Sequence, residues 1–156
     1  MKADDPRLAQ AHKEMTERIE KYEERIVTVL KAHLGAEQVL NDLLKAASRR
    51  WKKRSFAGKI DIGEKLLIEE LHPHVWKILR VGNDLRNAVA HGHKEGVIAA
   101  KMAELRNAYR ESLSPERKGD ADKLTETQLV VVAFSMASSF LVVATMRLEE
   151  KDKKKA

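Results

Sequence analysis

Apolar residues recur at helical spacing along most of the chain. Met15, Ile19, Tyr22, Ile26, Leu30, Leu40 and Leu44 fall on one stripe. Asp5-Pro6 stands ahead of them as an N-cap followed by a proline in the first turn. The pattern predicts a long helix from Pro6 to about Ser48, with Gly35 as the place for a bend. Asp61-x-x-Glu64, ahead of Leu66, Leu67 and Leu71, has the form of a capping box and predicts a short second helix that His72-Pro73 ends. A third helix is expected from Pro73 to His91, with Gly92 as a left-handed C-cap, and a fourth from about Val97 to Leu113. Ser114-Pro115 and Gly119-Asp120 mark a turn-rich linker. Thr125-x-x-Gln128 is a second capping box, opening an apolar helix to about Glu150. About five helices joined by short loops predict an all-α protein, a compact antiparallel bundle with residues 1–150 as one domain. The Lys-rich stretch 151–156 reads as a disordered tail.

The last helix carries the one pattern that changes this picture. Leu129 to Met146 holds 18 residues without a charge, at the lower edge of what crosses a bilayer. Ser135, Ser138, Ser139 and Thr145 dilute its hydrophobicity, and no other segment completes a membrane bundle, so a helix buried on all sides, and no membrane, is the expectation. Its small residues Ala133, Ser135, Ala137 and Ser139 allow close approach of another helix, including that of a second copy.

Composition agrees with helices: of 156 residues, 35% are charged and only 4% aromatic, a poor match to a β-sandwich or barrel. The absence of cysteine excludes disulfide scaffolds, thiolate metal sites and cysteine nucleophiles. His72-x-His74 and His91-x-His93 invite a zinc reading, since two such pairs could supply four nitrogens, but Pro73 and Gly92 argue against both being held rigidly, so neither metal nor cofactor is expected. No glycine-rich phosphate loop, serine elbow or dinucleotide fingerprint is present. Met1 to Arg7 leads into a charged helical pattern rather than an apolar signal core, which makes the cytoplasm the expected compartment. A net charge of +6 adds a modest attraction for polyanions, so RNA is a candidate partner.

Candidate chemistry concentrates in Asn83-Asp84-Leu85-Arg86-Asn87-Ala88-Val89-Ala90-His91-Gly92. Asp84, Asn87 and His91 share one helix face at spacings of three and four, opposite the apolar Ile78, Gly82, Leu85 and Val89. Arg86 lies five residues before His91, about 140° around an ideal helix, so the two converge only if the helix end unwinds or a two-fold mate brings a second stripe across. An imidazole moves protons near neutral pH and a guanidinium neutralises phosphoryl oxygens, a pairing that suits phosphodiester chemistry. A C-terminal histidine with a surface arginine also occurs without function.

The string LRNAVAHG resembles the arginine, four residues, histidine motif of the HEPN superfamily. His33 to Leu44 (HLGAEQVLNDLL) is similar to the first core helix of such proteins. Ser55-Phe56, Lys59-Ile60, Trp76, Leu79 and the Asn83 to Asn87 run look like the mannitol operon repressor-like branch, the likeness covering roughly residues 20 to 112. It implies a helical homodimer whose Arg86 and His91 motifs face each other across a shared cleft. It further implies metal-independent endoribonuclease activity in active members: His91 serves as acid or base for attack of a 2′-hydroxyl on the phosphodiester, Arg86 stabilises the phosphorane, and Asn87 orients them. Toxin members often carry a tyrosine two residues after the histidine, where this chain has His93. The repressor-like branch is associated with regulation, so a silent dimer that binds a protein partner or antitoxin stands as the alternative.

Three further features accompany the motif. Glu37 interrupts the apolar stripe of the first helix; it either turns to solvent or supports the site through Arg86 or His91, as Asp84 does from its own helix. Arg49, Arg50, Trp51, Lys52, Lys53 and Arg54 form a basic patch around an aromatic. That patch suits RNA, with phosphates on the cations and a base on the ring; it is equally a solvated loop with Trp51 packed inward. Leu105-Arg106-Asn107-Ala108 repeats part of the motif with Glu111 in place of the histidine and reads as ordinary helix surface.

Overall fold

The computed structural model describes residues 5–66 and 71–154. These form six α-helices and one 3-10 turn, with no strand among the described residues. Helix α1 spans Pro6–Ala46, α2 Phe56–Leu66, α3 Pro73–Ala90 and α4 Glu95–Ser112. Pro115–Arg117 is the 3-10 turn, followed by the single-turn α5 (Asp120–Lys123) and then α6 (Glu126–Lys153). The all-α bundle with a long first helix and an apolar last one is as expected.

The helix ends follow local chemistry. Asp5 accepts from the Arg7 backbone N–H and caps α1, with Pro6 in the first turn. Thr125 and Gln128 exchange both bonds of a capping box at the start of α6. At the end of α3, Gly92 takes φ 61°, its N–H bonds the Val89 carbonyl, and the His93 N–H bonds that of Ala88. This Schellman arrangement places His91 at the C-cap.

Two expectations are corrected. Helix α2 begins at Phe56, not at Asp61: the Ser55 hydroxyl accepts from the Gly58 N–H one turn earlier, and Asp61 and Glu64 lie inside the helix where both hold Arg80. Leu67, assigned to the same helix, lies outside the described residues. Helix α1 continues through Gly35 without interruption. Helix α6 runs on to Lys153, so the first residues of the expected tail are helical; Lys155 lies outside the described residues.

The expected antiparallel packing holds only in part. Arg25 of α1 binds Glu95 at the start of α4 and Glu126 at the start of α6, while Val39, Asp42 and Ala46 line one cleft with Val142, Thr145 and Glu149. Helices α1 and α6 therefore run parallel, because the segment 113–125 returns the chain to the end of the bundle where α4 began. Helix α3 runs antiparallel to both, with Asn83 beside His33 and Gly92 beside Tyr22.

The core is formed by the buried faces of α1 (Val29, Leu40, Leu43, Leu44), α3 (Trp76, Ile78, Leu79, Leu85), α4 (Ile98, Leu105) and α6 (Leu129, Phe134, Leu141). At about 1.5 Å per residue α1 is some 60 Å long, and residues 9–20 are exposed on an arm beyond the ends of α3 and α6. Glycine lets two pairs of elements approach closely. A Cβ at Gly63 would stand 2.7 Å from the Trp76 ring, and one at Gly82 would overlap the Phe134 ring. Gly82→Ala is expected to destabilise the fold by about 1–3 kcal/mol through overpacking, with Phe134→Leu in the same chain recovering part of the loss, measured by urea unfolding.

Candidate functional site

Helix α3 sets the site by placing Gly82, Leu85 and Val89 in the core, which turns Asn83, Arg86 and Asn87 toward the edge shared with α1 and α2. All three are half-buried. The Arg86 guanidinium donates through Nη1 to Asn87 Oδ1 at 3.0 Å. His33 Nε2 of α1 lies 3.3 Å from Asn83 Oδ1, and the His33 ring packs on Phe56 of α2 with centroids 4.3 Å apart. His91 and His93 are exposed with ring centroids 6.3 Å apart, and Asp84 is exposed on the outer face of α3.

The structure thus brings Arg86 and Asn87 together directly and leaves His91 free at the helix end. Glu37 does not support Arg86 or His91, and it is not turned out to solvent: its Oε1 accepts from Lys59 Nζ at 2.5 Å. Lys59 is buried, and its ammonium also lies 5.3 Å from the Trp51 ring. A buried ammonium requires a partner, and the carboxylate that α1 presents one turn beyond His33 meets that need. Sequence reasoning missed Lys59 and Asn83 as the groups that hold this edge. Lys59 sits within the apolar run of α2, and that placement was the available signal.

Burial, above all, pushes the His33 imidazole below its ordinary range, and the nearby Arg86 and Lys59 charges act in the same direction; Asn83 and Glu37 oppose them. His33 is therefore a packing histidine that stays neutral beside a cation.

Arg86 differs from the other half-buried arginines. Arg25 is held by Glu95 and Glu126, Arg80 by Asp61 and Glu64, Arg110 by Asp122, and Arg106 by the carbonyls of Ala121 and Leu124. The only partner of Arg86 among the described residues is the neutral amide of Asn87. The repeated Leu-Arg-Asn-Ala string is thereby resolved: Arg106 fastens the linker, Glu111 pairs with Lys77 at 2.5 Å, and Arg86 keeps its charge available.

The basic patch forms the loop between α1 and α2. Arg49, Arg50, Lys52, Lys53 and Arg54 are exposed, and Trp51 is half-buried against the core, so the ring is not free to take a base on both faces. The two histidine pairs sit at opposite ends of α3, roughly 25 Å apart along an 18-residue helix, too far for one tetrahedral centre. No cluster of three metal-ligating side chains exists among the described residues. Surface clefts of about 450–580 Å³ lie between α1 and the start of α6, on either side of α6, and in the basic loop; none of these is lined by Arg86, Asn87 or His91.

No family model, curated protein or solved structure matches the chain. The site's chemistry therefore rests on its own residues.

The His33 environment gives a pH dependence with a definite sign. With the folded pKa below 6.5, the unfolded chain binds the extra proton first, so stability falls as pH drops through about 6.5 and levels off below the folded value. Urea unfolding at pH 7.5 and 5.5 should show a smaller loss in His33→Gln than in the wild type.

Proposed function

We propose that the chain is a HEPN-like homodimeric protein that binds and cleaves RNA without a metal, through Arg86, Asn87 and His91. The observation that carries this reading is the uncompensated charge of Arg86. A half-buried guanidinium with no carboxylate and no backbone carbonyl against it among the described residues, only the Asn87 side-chain amide, is a site for an external anion, and a phosphodiester fits the guanidinium fork. Asn87 fixes the direction of that fork. His91, exposed at the C-cap, is open to substrate, and an imidazole is the side chain suited to proton transfer near neutral pH.

In the reaction, His91 accepts the proton of a ribose 2′-hydroxyl, whose oxygen attacks the adjacent phosphorus. Charge builds on the non-bridging oxygens and Arg86 neutralises it. The bond to the 5′-oxygen breaks, and that oxygen takes a proton from water or from a protonated histidine. The products are a cyclic phosphate and a 5′-hydroxyl end. The exposed cations at 49–54 supply the sequence-independent attraction that holds the strand. A second reading has its own support: none of the described clefts encloses Arg86 and His91, as suits a silent dimer that offers this stripe to a protein partner.

The test is incubation of purified protein with single-stranded and structured RNA in excess EDTA, beside Arg86→Ala and His91→Ala. Cleavage that both substitutions lower by about 10²-fold or more, with folding intact by circular dichroism, is the expected result. RNA left intact at wild-type levels of binding favours the silent reading. Replacing Arg50, Lys52 and Lys53 by alanine should weaken RNA binding at all sequences and reduce the slope of log affinity against log salt by about 2.

A further inference from the structure

Helix α6 is not buried on all sides as expected: it is apolar enough by length and composition to cross a membrane, yet only 39% of its most apolar 18-residue stretch is buried inside the bundle. The small residues of that stretch divide. Ala133 and Ala137 face the core, whereas Ser135 and Ser139 are exposed, flanked by Val131, Val142 and Met146, which are 50%, 37% and 55% exposed. Because α1 runs parallel to α6 on one side, the two helices present one joint outer face, directed away from α3. On α1 it carries Lys31, Gly35, Gln38 and Asp42, all exposed.

We propose that this α1–α6 face is a two-fold interface with a second copy of the chain, each helix packing antiparallel on its own counterpart. The pattern is self-complementary, as such an interface requires. About a centre between Ser138 and Ser139, Val131 falls opposite Met146 of the copy and Ser135 opposite Val142. Arg25 binds Glu126 and Glu24 binds Thr127, which sets the α1 residue beside each α6 residue about 102 positions earlier in the chain. The same axis therefore crosses α1 between residues 36 and 37 and sets Lys31 opposite Asp42, twice. Neither Lys31 nor Asp42 has an ion-pair partner within its own chain among the described residues. Gly35, with nothing within 4 Å of a built Cβ, and the serines lie nearest the axis, where backbones approach most closely. Residues 128–149 span about 30 Å and two helices about 20 Å, so the face covers on the order of 600 Å² on each copy, which reaches the lower bound of about 1,200 Å² for a stable dimer.

This dimer leaves Arg86, Asn87 and His91 uncovered on opposite outer sides of the assembly. It does not form the shared cleft that the HEPN resemblance implies, so cleavage by Arg86 and His91 together would need a second, separate contact between copies, because α3 stays helical to Ala90 and does not bring the two together within one chain; the cysteine and charge-reversal tests read this interface whether or not RNA is cleaved.

The chain has no cysteine, so single introduced cysteines report only symmetric contacts. Ser139→Cys should give a covalent dimer with a short bis-maleimide, and Glu104→Cys, exposed on α4, should not. In sedimentation equilibrium, Lys31→Asp and Asp42→Lys should each raise the dimer dissociation constant about tenfold, and the double reversal should restore it. These surface changes spare the core, and circular dichroism checks the fold. A wild type that is monomeric at about 50 μM overturns the proposal. So does a dimer indifferent to both reversals, or a monomer that sediments with phosphatidylcholine–phosphatidylglycerol vesicles, which would assign the face to a membrane.

Discussion

Helix α3 lies so close to α6 that the Phe134 ring fills the space a Cβ at residue 82 would need, and the position of the whole candidate site follows from that approach. Seated there, α3 buries Leu85 and Val89 and directs Asn83 and Arg86 toward α1 and α2. It also brings Gly92 to the level of Tyr22, so that the chain turns into α4 where α1 leaves the bundle. Any larger residue at 82 shifts α3 outward and moves every side chain on the Asn83 to His91 stripe with it.

Charge is distributed in this bundle by occupation. Buried or half-buried cations are costly unless something answers them, and almost all here are answered: Lys59 by Glu37, Arg25 by two glutamates, Arg80 by two carboxylates, Arg106 by two carbonyls. These pairs tie α1 to α2, α4 and α6, and α3 to α2. Arg86 stands apart because its one hydrogen-bond partner among the described residues, the Asn87 amide, orients it without cancelling its charge.

The outer surface shows the reverse condition. Between residues 129 and 146 helix α6 carries no charge, and its solvent side is as apolar as much of its core side. Such a face gains free energy when water leaves it, and in the proposed dimer the Lys31 and Asp42 charges of α1 would set direction and register. Two surfaces of separate chemistry then belong to one small bundle, an apolar one proposed for assembly and a cationic one proposed for an anion.

Helices were legible in the sequence because their signals are local. The Asp5-Pro6 cap, the Thr125-Gln128 box and the Gly92 terminator act within one turn and act the same way in any fold. Asp61 and Glu64 imitated such a signal, and only the presence of Arg80 on another helix revealed their use. The stripe from Asn83 to His91 was also legible as residue types on one helix. What the sequence could not determine was which cations would be neutralised: Glu37 is 22 residues from Lys59, Arg25 is 101 from Glu126, and the same Leu-Arg-Asn-Ala string is structural at 106 and open at 86. The parallel course of α1 and α6, and with it the joint face they present, was likewise decided in three dimensions. Hydrogen bonding and capping read the neighbouring few residues; neutralisation and burial depend on what the folded chain brings alongside.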